Sequence, residues 1–509
     1  MLIYLEIKNI IAKLYPLYFL TLSIFLFYFL KRSFKELRIF LPKTGKQITL
    51  ISVFIIIAAL LRFKFTQHID FDFYGWAYIR DAIALKGVIR PDPTVLYLFQ
   101  YAFHIPGYAC LIAPLVLFSQ SLMAVSIFNI CFSVLTVVLV YLISSILSKD
   151  KYTAFLASGI IALSPMHILF SGEEFPMSLS VFFITAVFLY IILWRKIKNI
   201  YLGWSAILLY LFSINIKFEN MVFLPLIVFG LFDMLKAPHQ KKTIKYLSIL
   251  VALSVLFLAP FVINMVIDQG FIHDRAADQL SFFSLSSFLT HFYYFFIRLC
   301  YISPLTIILI YLIFKVKKCR IEYDYLLLGW VFFGLFFFFW YSDIFSYWNT
   351  LIILVPIYIL SGYILSQILH KLFKKDFYKY LFSVFLILAV SWCFKSGITT
   401  NTKSWIEIKK EFKIVTNNDY VVIPELKTYF SLSFLFPKTK LIIAYDNQYL
   451  KRMLKDAETI YYFNPIPYGL VEEINTKKIA LLEQRLNKEY SFEKVSDIEL
   501  YKLKKVSYK

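Results

Sequence analysis

The chain has only five cysteines in 509 residues, Cys110, Cys131, Cys300, Cys319 and Cys393, with no Cys-x-x-Cys spacing. That excludes a disulfide framework and a thiolate metal site, and leaves the five as packing residues in or beside apolar segments. Histidine is scarce too, at seven residues, and no His/Asp cluster is present. No glycine-rich phosphate loop follows any strand-like segment, so no nucleotide is assigned. Acids number 32 against 53 bases, a net charge of +21. The first residues, Met1–Tyr15, show no small-residue cleavage site, so the first apolar segment is expected to remain in place.

What is abundant is apolar surface. Hydrophobic residues make up 60% of the chain, aromatics 20%, and mean hydropathy is +0.70. One soluble core cannot use that much, whereas lipid can cover it. Apolar runs recur at roughly the 20 residues that cross a bilayer as helix. Twelve are expected, near 13–30, 48–65, 122–146, 153–170, 175–194, 202–217, 221–235, 246–266, 291–314, 325–341, 348–369 and 380–394. Lys and Arg alternate between their connections. Loops 31–47, 148–152, 195–200, 236–245, 315–324 and 371–379 hold 23, whereas 62–121, 171–174, 217–220, 267–290 and 342–347 hold 7. Positive loops stay in the cytoplasm, so the basic excess is a topology signal and gives no nucleic-acid partner. The expectation is a multi-pass protein of the inner or plasma membrane, with both termini outside.

After Phe394 charge becomes frequent and apolar runs shorten. The segments "YVVIP" at Tyr420, "KLIIAYD" at Lys440, "TIYYFNP" at Thr459 and "DIELYKL" at Asp497 read as strands. The intervening "ELKTYFSLSFLF", "QYLKRMLKD" and "TKKIALLEQRLNKEY" carry helical spacing. Alternating strands and helices predict a small soluble α/β domain. The expected organisation is a membrane domain over 1–394, including an outer loop at 66–121, and an extracytoplasmic domain over 395–509.

Candidate chemistry lies in the outer segments. "HIDFDFYGWAYIRD" at His68 places Asp70 and Asp72 before a stretch, Phe73–Lys86, that suits an interfacial helix with Phe73, Trp76, Ala77, Ile83 and Ala84 on one face. Asp72 can cap that helix or act as a base, and the two roles can coexist. "HIPGYACLIAPL" closes the loop at His104, and "LSPMHILFSGEEFPMSLSVFF" brings Glu173 and Glu174 into a short acidic turn. Ser171-x-x-Glu174 followed by Pro176 also fits a helix-capping box.

Asp72, Trp76, Ala77 and Gly87, then Pro106-Gly107-Tyr108, then Ser164-Pro165 and the acidic turn, together resemble the GT-C superfamily of membrane glycosyltransferases. The likeness is to the group of protein O-mannosyltransferases and lipid A aminoarabinose transferases. Asp70 fits the alternative alignment on Tyr74; Trp76 stands where the family often has Tyr, and Phe73 where an acid often follows. The resemblance implies a polytopic α-helical GT-C-like fold and a sugar donor carried on polyprenyl phosphate. It also implies a protein, glycolipid or polysaccharide acceptor activated by Asp72 or Asp70, with inversion. Trp76, His104 and Tyr108 would belong to the substrate loop. Such an acid has a physical reason, because an attacking hydroxyl must lose its proton. One displacement then needs no second, nucleophilic carboxylate.

The leaving phosphate needs cations. Lys217 in "SINIKFEN" lies at an outer helix end where loop charge gives no reason for it, and Lys217 with Glu219 resembles a basic-acidic pair of the family. A lysine snorkelling to the interface, or paired with Glu219, is the plainer alternative. Arg80, Arg275 and Arg298 are weaker phosphate candidates, along with Arg62 and Lys64. Tyr347-Trp348 replaces an Arg-Tyr pair of the family. No cofactor is expected, although Asp72 with Glu173 or Glu174 could hold a divalent ion such as Mg or Mn. The competing class is a twelve-helix transporter or flippase of lipid-linked sugars. Against it, no half-to-half repeat is found, and the acids gather at one membrane face.

Overall fold

A computed structural model describes residues 2–42, 45–66, 106–119, 122–172, 176–232, 251–259, 324–340 and 351–392, the strand segments, and isolated positions between them. Its contacts divide the chain into two units. The first comprises Met1–Lys64 and Asp81–Ile398, the second Phe65–Arg80 and Thr399–Lys509.

The first unit is helical. Its described helices are α1 (Leu2–Arg38), α2 (Gly45–Thr66), α3 (Gly107–Ser119), α4 (Leu122–Ser148), α5 (Lys151–Leu163), α6 (Pro165–Leu169), α7 (Met177–Ile197) and α8 (Ile200–Ile216). A 3-10 helix (Phe218–Phe223) and α9 (Leu224–Leu231) follow, then α10 (Asp324–Trp340), α11 (Leu351–Leu372) and α12 (Asp376–Trp392). Among the described residues, four stretches are long and apolar enough to cross a membrane: Lys13–Arg38, Met123–Ser148, Met177–Ile197 and Leu351–Leu372. The expectation of twelve is therefore met only in part. The expected helix at 291–314 lies outside the described residues apart from Tyr293 and Ile310, both helical, and 153–170 is broken in two. The 66–121 loop contains a helix, α3, that its apolar sequence hid among neighbouring apolar runs.

Burial follows side-chain periodicity. α7 is almost wholly apolar and lies buried at the centre, with α4, α8, α9 and α11 around it. The ring of Phe188 on α7 stacks on Trp330 of α10 at 4.2 Å. On α1 the stripe Tyr15, Phe19, Leu22, Leu26 and Ser33 faces α8, with Phe19 against Phe212, while Leu17, Leu20, Ile24 and Phe27 stay exposed. An apolar surface of that extent is what lipid would cover.

The break in 153–170 falls at Ser164-Pro165. Proline pushes the preceding residue out of the helical region, and Ser164 sits at φ −61°, ψ 120°. Pro165 also has no N–H to give the Ile161 carbonyl, which accepts from the Ser164 N–H at 3.3 Å instead. Arg62 of α2, fully buried, reaches into that gap. Its Nη1 donates to Ala58 O at 3.0 Å and Ala162 O at 2.9 Å, its Nη2 to Ile161 O at 3.4 Å and His167 Nδ1 at 2.8 Å, and its Nε to Ser133 Oγ at 2.8 Å. Because Arg62 can only donate, His167 must accept at Nδ1 and carry its proton on Nε2.

The basic segments gather at one end of this unit. Asp150 caps α5, accepting from the N–H groups of Tyr152 and Thr153, from the Thr153 hydroxyl and from Ser366, and stands 3.3 Å from His370 Nε2. Burial alone would raise the Asp150 pKa, but these bonds together hold it below the usual carboxylate value. Nearby, Lys151 pairs with Asp376 at 2.9 Å and Lys196 donates to the Ile146 carbonyl at 2.6 Å. The hydrogen bond and charge of Lys151 bring Asp376 down to about 2. Asn199 bonds Glu36 at 3.1 Å. Loops 31–47, 148–152, 195–200 and 371–379 thus share an end.

In the second unit, β1 (Tyr420–Ile423), β2 (Lys440–Ile443), β3 (Ile460–Phe463), β4 (Tyr490–Lys494) and β5 (Leu500–Lys505) form one sheet in the order β2-β1-β3-β5-β4. β1 pairs parallel with β2 and β3, while β5 runs antiparallel to β3 and β4. Val421 and Val422, adjacent on β1, are both buried, as a central strand covered on two faces requires. β4 was not expected: "YSFEK" reads as the tail of a helical run. The segments expected to be helical at 425–436 and 448–456 lie outside the described residues, as does 476–490 apart from Gln484 and Tyr490.

Candidate functional site

α8 stops at Ile216, and Lys217 leaves it in extended conformation, φ −147° and ψ 110°, before the 3-10 helix begins. This break turns the chain across the starts of α7 and α11. The resulting pocket is lined by Met177 and Ser180 of α7, by Lys217, Glu219 and Asn220, and by Ile352 of α11. Among the described residues it is a small cavity, with room for about one water molecule. α11 begins here and runs to His370 beside Asp150, so the pocket lies at the end opposite the basic loops. Eighteen residues separate Ile352 from His370, about 27 Å at 1.5 Å per residue, close to the hydrocarbon thickness of a bilayer.

Lys217 is 7% exposed, and its ammonium lies 3.3 Å from Glu219, whose side chain is 34% exposed. A lysine snorkelling to water would show its head group; this one does not. The pocket also faces the first turn of α7, which begins at Pro176 without a side-chain cap. Backbone N–H groups of a first helical turn favour negative charge. A buried cation beside such a turn attracts negative charge, the cavity as it stands has room for about one oxygen of an anionic group, and Glu219 3.3 Å away offsets the charge of the ammonium.

Of the other sequence candidates, Tyr108 is fully buried on α3, and its hydroxyl and the Asn129 side chain exchange bonds at 2.8 and 3.2 Å. Gly107 before it lies against α8 so closely that a Cβ would stand 2.1 Å from the Asn215 carbonyl oxygen, which is why no larger residue fits in Pro-Gly-Tyr. Arg62 serves the α5 break described above. The capping-box reading of Ser171 is overturned: its hydroxyl donates to Ile168 O at 2.6 Å, and α7 starts from Pro176 instead.

Asp70, Asp72, Trp76, Arg80, His104, Glu173, Glu174, Arg275, Arg298 and the Tyr347-Trp348 pair lie outside the described residues. Within the expected interfacial helix, Tyr78, Ile79, Ala82 and Leu85 are helical and buried. Phe73, Trp76, Ala77, Ile83 and Ala84, the face expected to meet the interface, lie outside the described residues. Among the described residues no group of three His, Cys, Asp or Glu side chains could hold a metal ion. The buried set of Arg62, Ser133 and His167, and the Ser180–Asn220 bond, were not foreseen; the single sequence signal for either was a charged residue inside an apolar run.

No protein-family model and no curated protein matches the chain. Among solved structures, it is similar to the archaeal oligosaccharyltransferase AglB from Archaeoglobus fulgidus in complex with an inhibitory peptide and a dolichol-phosphate. The identity is 11%, the TM-score 0.47, and the match covers 91% of this chain and 75% of that one. A likeness of that degree carries no functional argument.

Proposed function

We propose that the chain is a membrane glycosyltransferase that moves a sugar from a polyprenyl-phosphate carrier to a hydroxyl of a protein, glycolipid or polysaccharide. The observation that carries this reading is Lys217: a buried ammonium, facing a pocket at the end of the bundle away from the basic loops, beside the first turn of α7. The phosphate of the carrier binds at Lys217, which stabilises the charge left on the departing phosphate. Asp72 enters on the sequence pattern and serves as general base, with Asp70 as its alternative. A single displacement inverts the anomeric centre. The reaction as proposed needs no metal, and the acceptor is a glycan, lipid or protein at the outer membrane face.

Two measurements test this. Lys217→Met in the purified protein should raise the donor KM or cut turnover about tenfold or more, as expected for a lost hydrogen bond to a charged group, with release of polyprenyl phosphate as the assay. Unchanged donor kinetics would make Lys217 a structural partner of Glu219. Reporter fusions after Lys43, Lys241 and Lys375 should remain cytoplasmic while one at Lys509 is exported; a cytoplasmic C-terminus would reverse the proposed sidedness. A flippase would move labelled lipid across vesicles without releasing the carrier phosphate.

A further inference from the structure

We infer that Asn220, held by Ser180, is a positioning residue that sets where the Lys217 ammonium stands. The inference rests on the reading of Lys217 as the phosphate contact. Where α8 ends, the Ser213 carbonyl accepts from the Lys217 N–H at 2.9 Å and also from Asn220 Nδ2 at 3.1 Å. The Asn220 N–H donates to the Lys217 carbonyl at 3.1 Å, so this one residue bonds the chain on both sides of the lysine. Asn220 Oδ1 accepts from the Ser180 hydroxyl at 3.0 Å, which ties the whole turn to the first turn of α7. Both side chains line the pocket, yet Ser180 is 0% and Asn220 2% exposed.

The chemistry specifies an amide. One side must donate to a carbonyl and the other must accept from a hydroxyl, and asparagine does both at the required length. Aspartate would face the Ser213 carbonyl with an oxygen and place a second carboxylate beside Lys217. Leucine would satisfy neither neighbour. A further brace comes from Tyr210, whose hydroxyl donates to the Met221 carbonyl at 3.2 Å. The extended backbone of Lys217 is therefore fixed from α8, from α7 and from within the 3-10 helix, and its side chain enters the pocket from a defined origin. Shifts of about 1 Å in such a group are known to cost up to about a hundredfold in rate.

The test uses the full chain in detergent, a fluorescent short-chain prenyl monophosphate as probe, and thermal melting beside the binding measurement. Lys217→Met should weaken probe binding by about tenfold or more, and Ser180→Ala and Asn220→Asp should each weaken it measurably, while Ser180→Thr, which keeps the hydroxyl, should restore it. The decisive arm combines changes. If Ser180 acts through Lys217, Ser180→Ala should have no further effect on binding in the Lys217→Met background, although its effect on melting would be the same in both. Because Ser180→Ala removes one hydroxyl from a packed helix, it keeps the question answerable even if Asn220→Asp does not fold. Equal effects of Ser180→Ala in both backgrounds, or wild-type binding by Ser180→Ala alone, would overturn the positioning role and leave the phosphate reading intact. Wild-type binding by Lys217→Met would overturn the phosphate reading, and the positioning role with it.

Discussion

Asp72→Asn should abolish most transfer while leaving expression and melting temperature close to those of the unchanged protein. Asparagine can still cap a helix, but it cannot take a proton from an attacking hydroxyl. General-base assistance is worth about 10²–10⁴-fold in rate, whereas a lost helix cap costs only about 0.5–2 kcal/mol. The two roles therefore separate cleanly when turnover and melting are read on the same preparation. Asp70→Asn serves as the companion. If it is dead while Asp72→Asn turns over normally, the alignment through Gly87 picked the wrong acid. If both remain active, the catalytic reading of this loop fails and the capping role is what survives.

The second large effect concerns Arg62. Its guanidinium answers the Ile161 and Ala162 carbonyls at a helix break inside an apolar bundle, and also engages Ser133 and His167. Ile161 also accepts from the Ser164 N–H, but an acceptor left open there has no water to turn to, and each buried unsatisfied group costs about 1–3 kcal/mol. Arg62→Met should therefore destabilise the protein by about 1–3 kcal/mol for each buried acceptor it leaves unsatisfied, and lower the yield of folded material. Arg62→Lys should rescue only partly, since one ammonium cannot span acceptors that a planar fork reaches from three nitrogens. Thermal melting in detergent decides it. A variant that melts like the parent but no longer binds donor would instead return Arg62 to the phosphate candidates.

These expectations show where sequence reasoning reached and where it stopped. The expected spans at 122–146, 175–194, 202–217 and 348–369 coincide closely with α4, α7, α8 and α11, because long apolar runs bounded by charge carry their own limits. Four of the five strands were legible for a similar reason: short β-branched and aromatic runs between polar segments. β4 was not, since the edge strand "YSFEK" is half charged and follows directly on a helical pattern. Ser171-x-x-Glu174 misled because a four-residue spacing cannot say whether the serine hydroxyl turns forward to the next helix or back to Ile168. Lys217 stood out because a cation at that end broke the charge rule. Its supports did not, since Ser180 and Asn220 lie 40 residues apart, and Arg62 and His167 105 apart. Sequence pattern registers periodicity along one helix; it does not register which helices touch.

α11 is fastened to α5 at three levels. Near one tip, Ser366 and His370 engage Asp150; midway, Gly362 lies so close to α5 that a Cβ would stand 2.8 Å from the Ala157 nitrogen; higher up, Tyr358 meets Ser164 at 2.9 Å. Sliding the helix by the width of a methyl group would disturb all three together, so α11 behaves as a spar of fixed length and not as a piston. Any widening of the pocket at Ile352 then has to come from the walls facing that spar, and a bulky residue at 362 would lever the two helices apart along their whole shared seam.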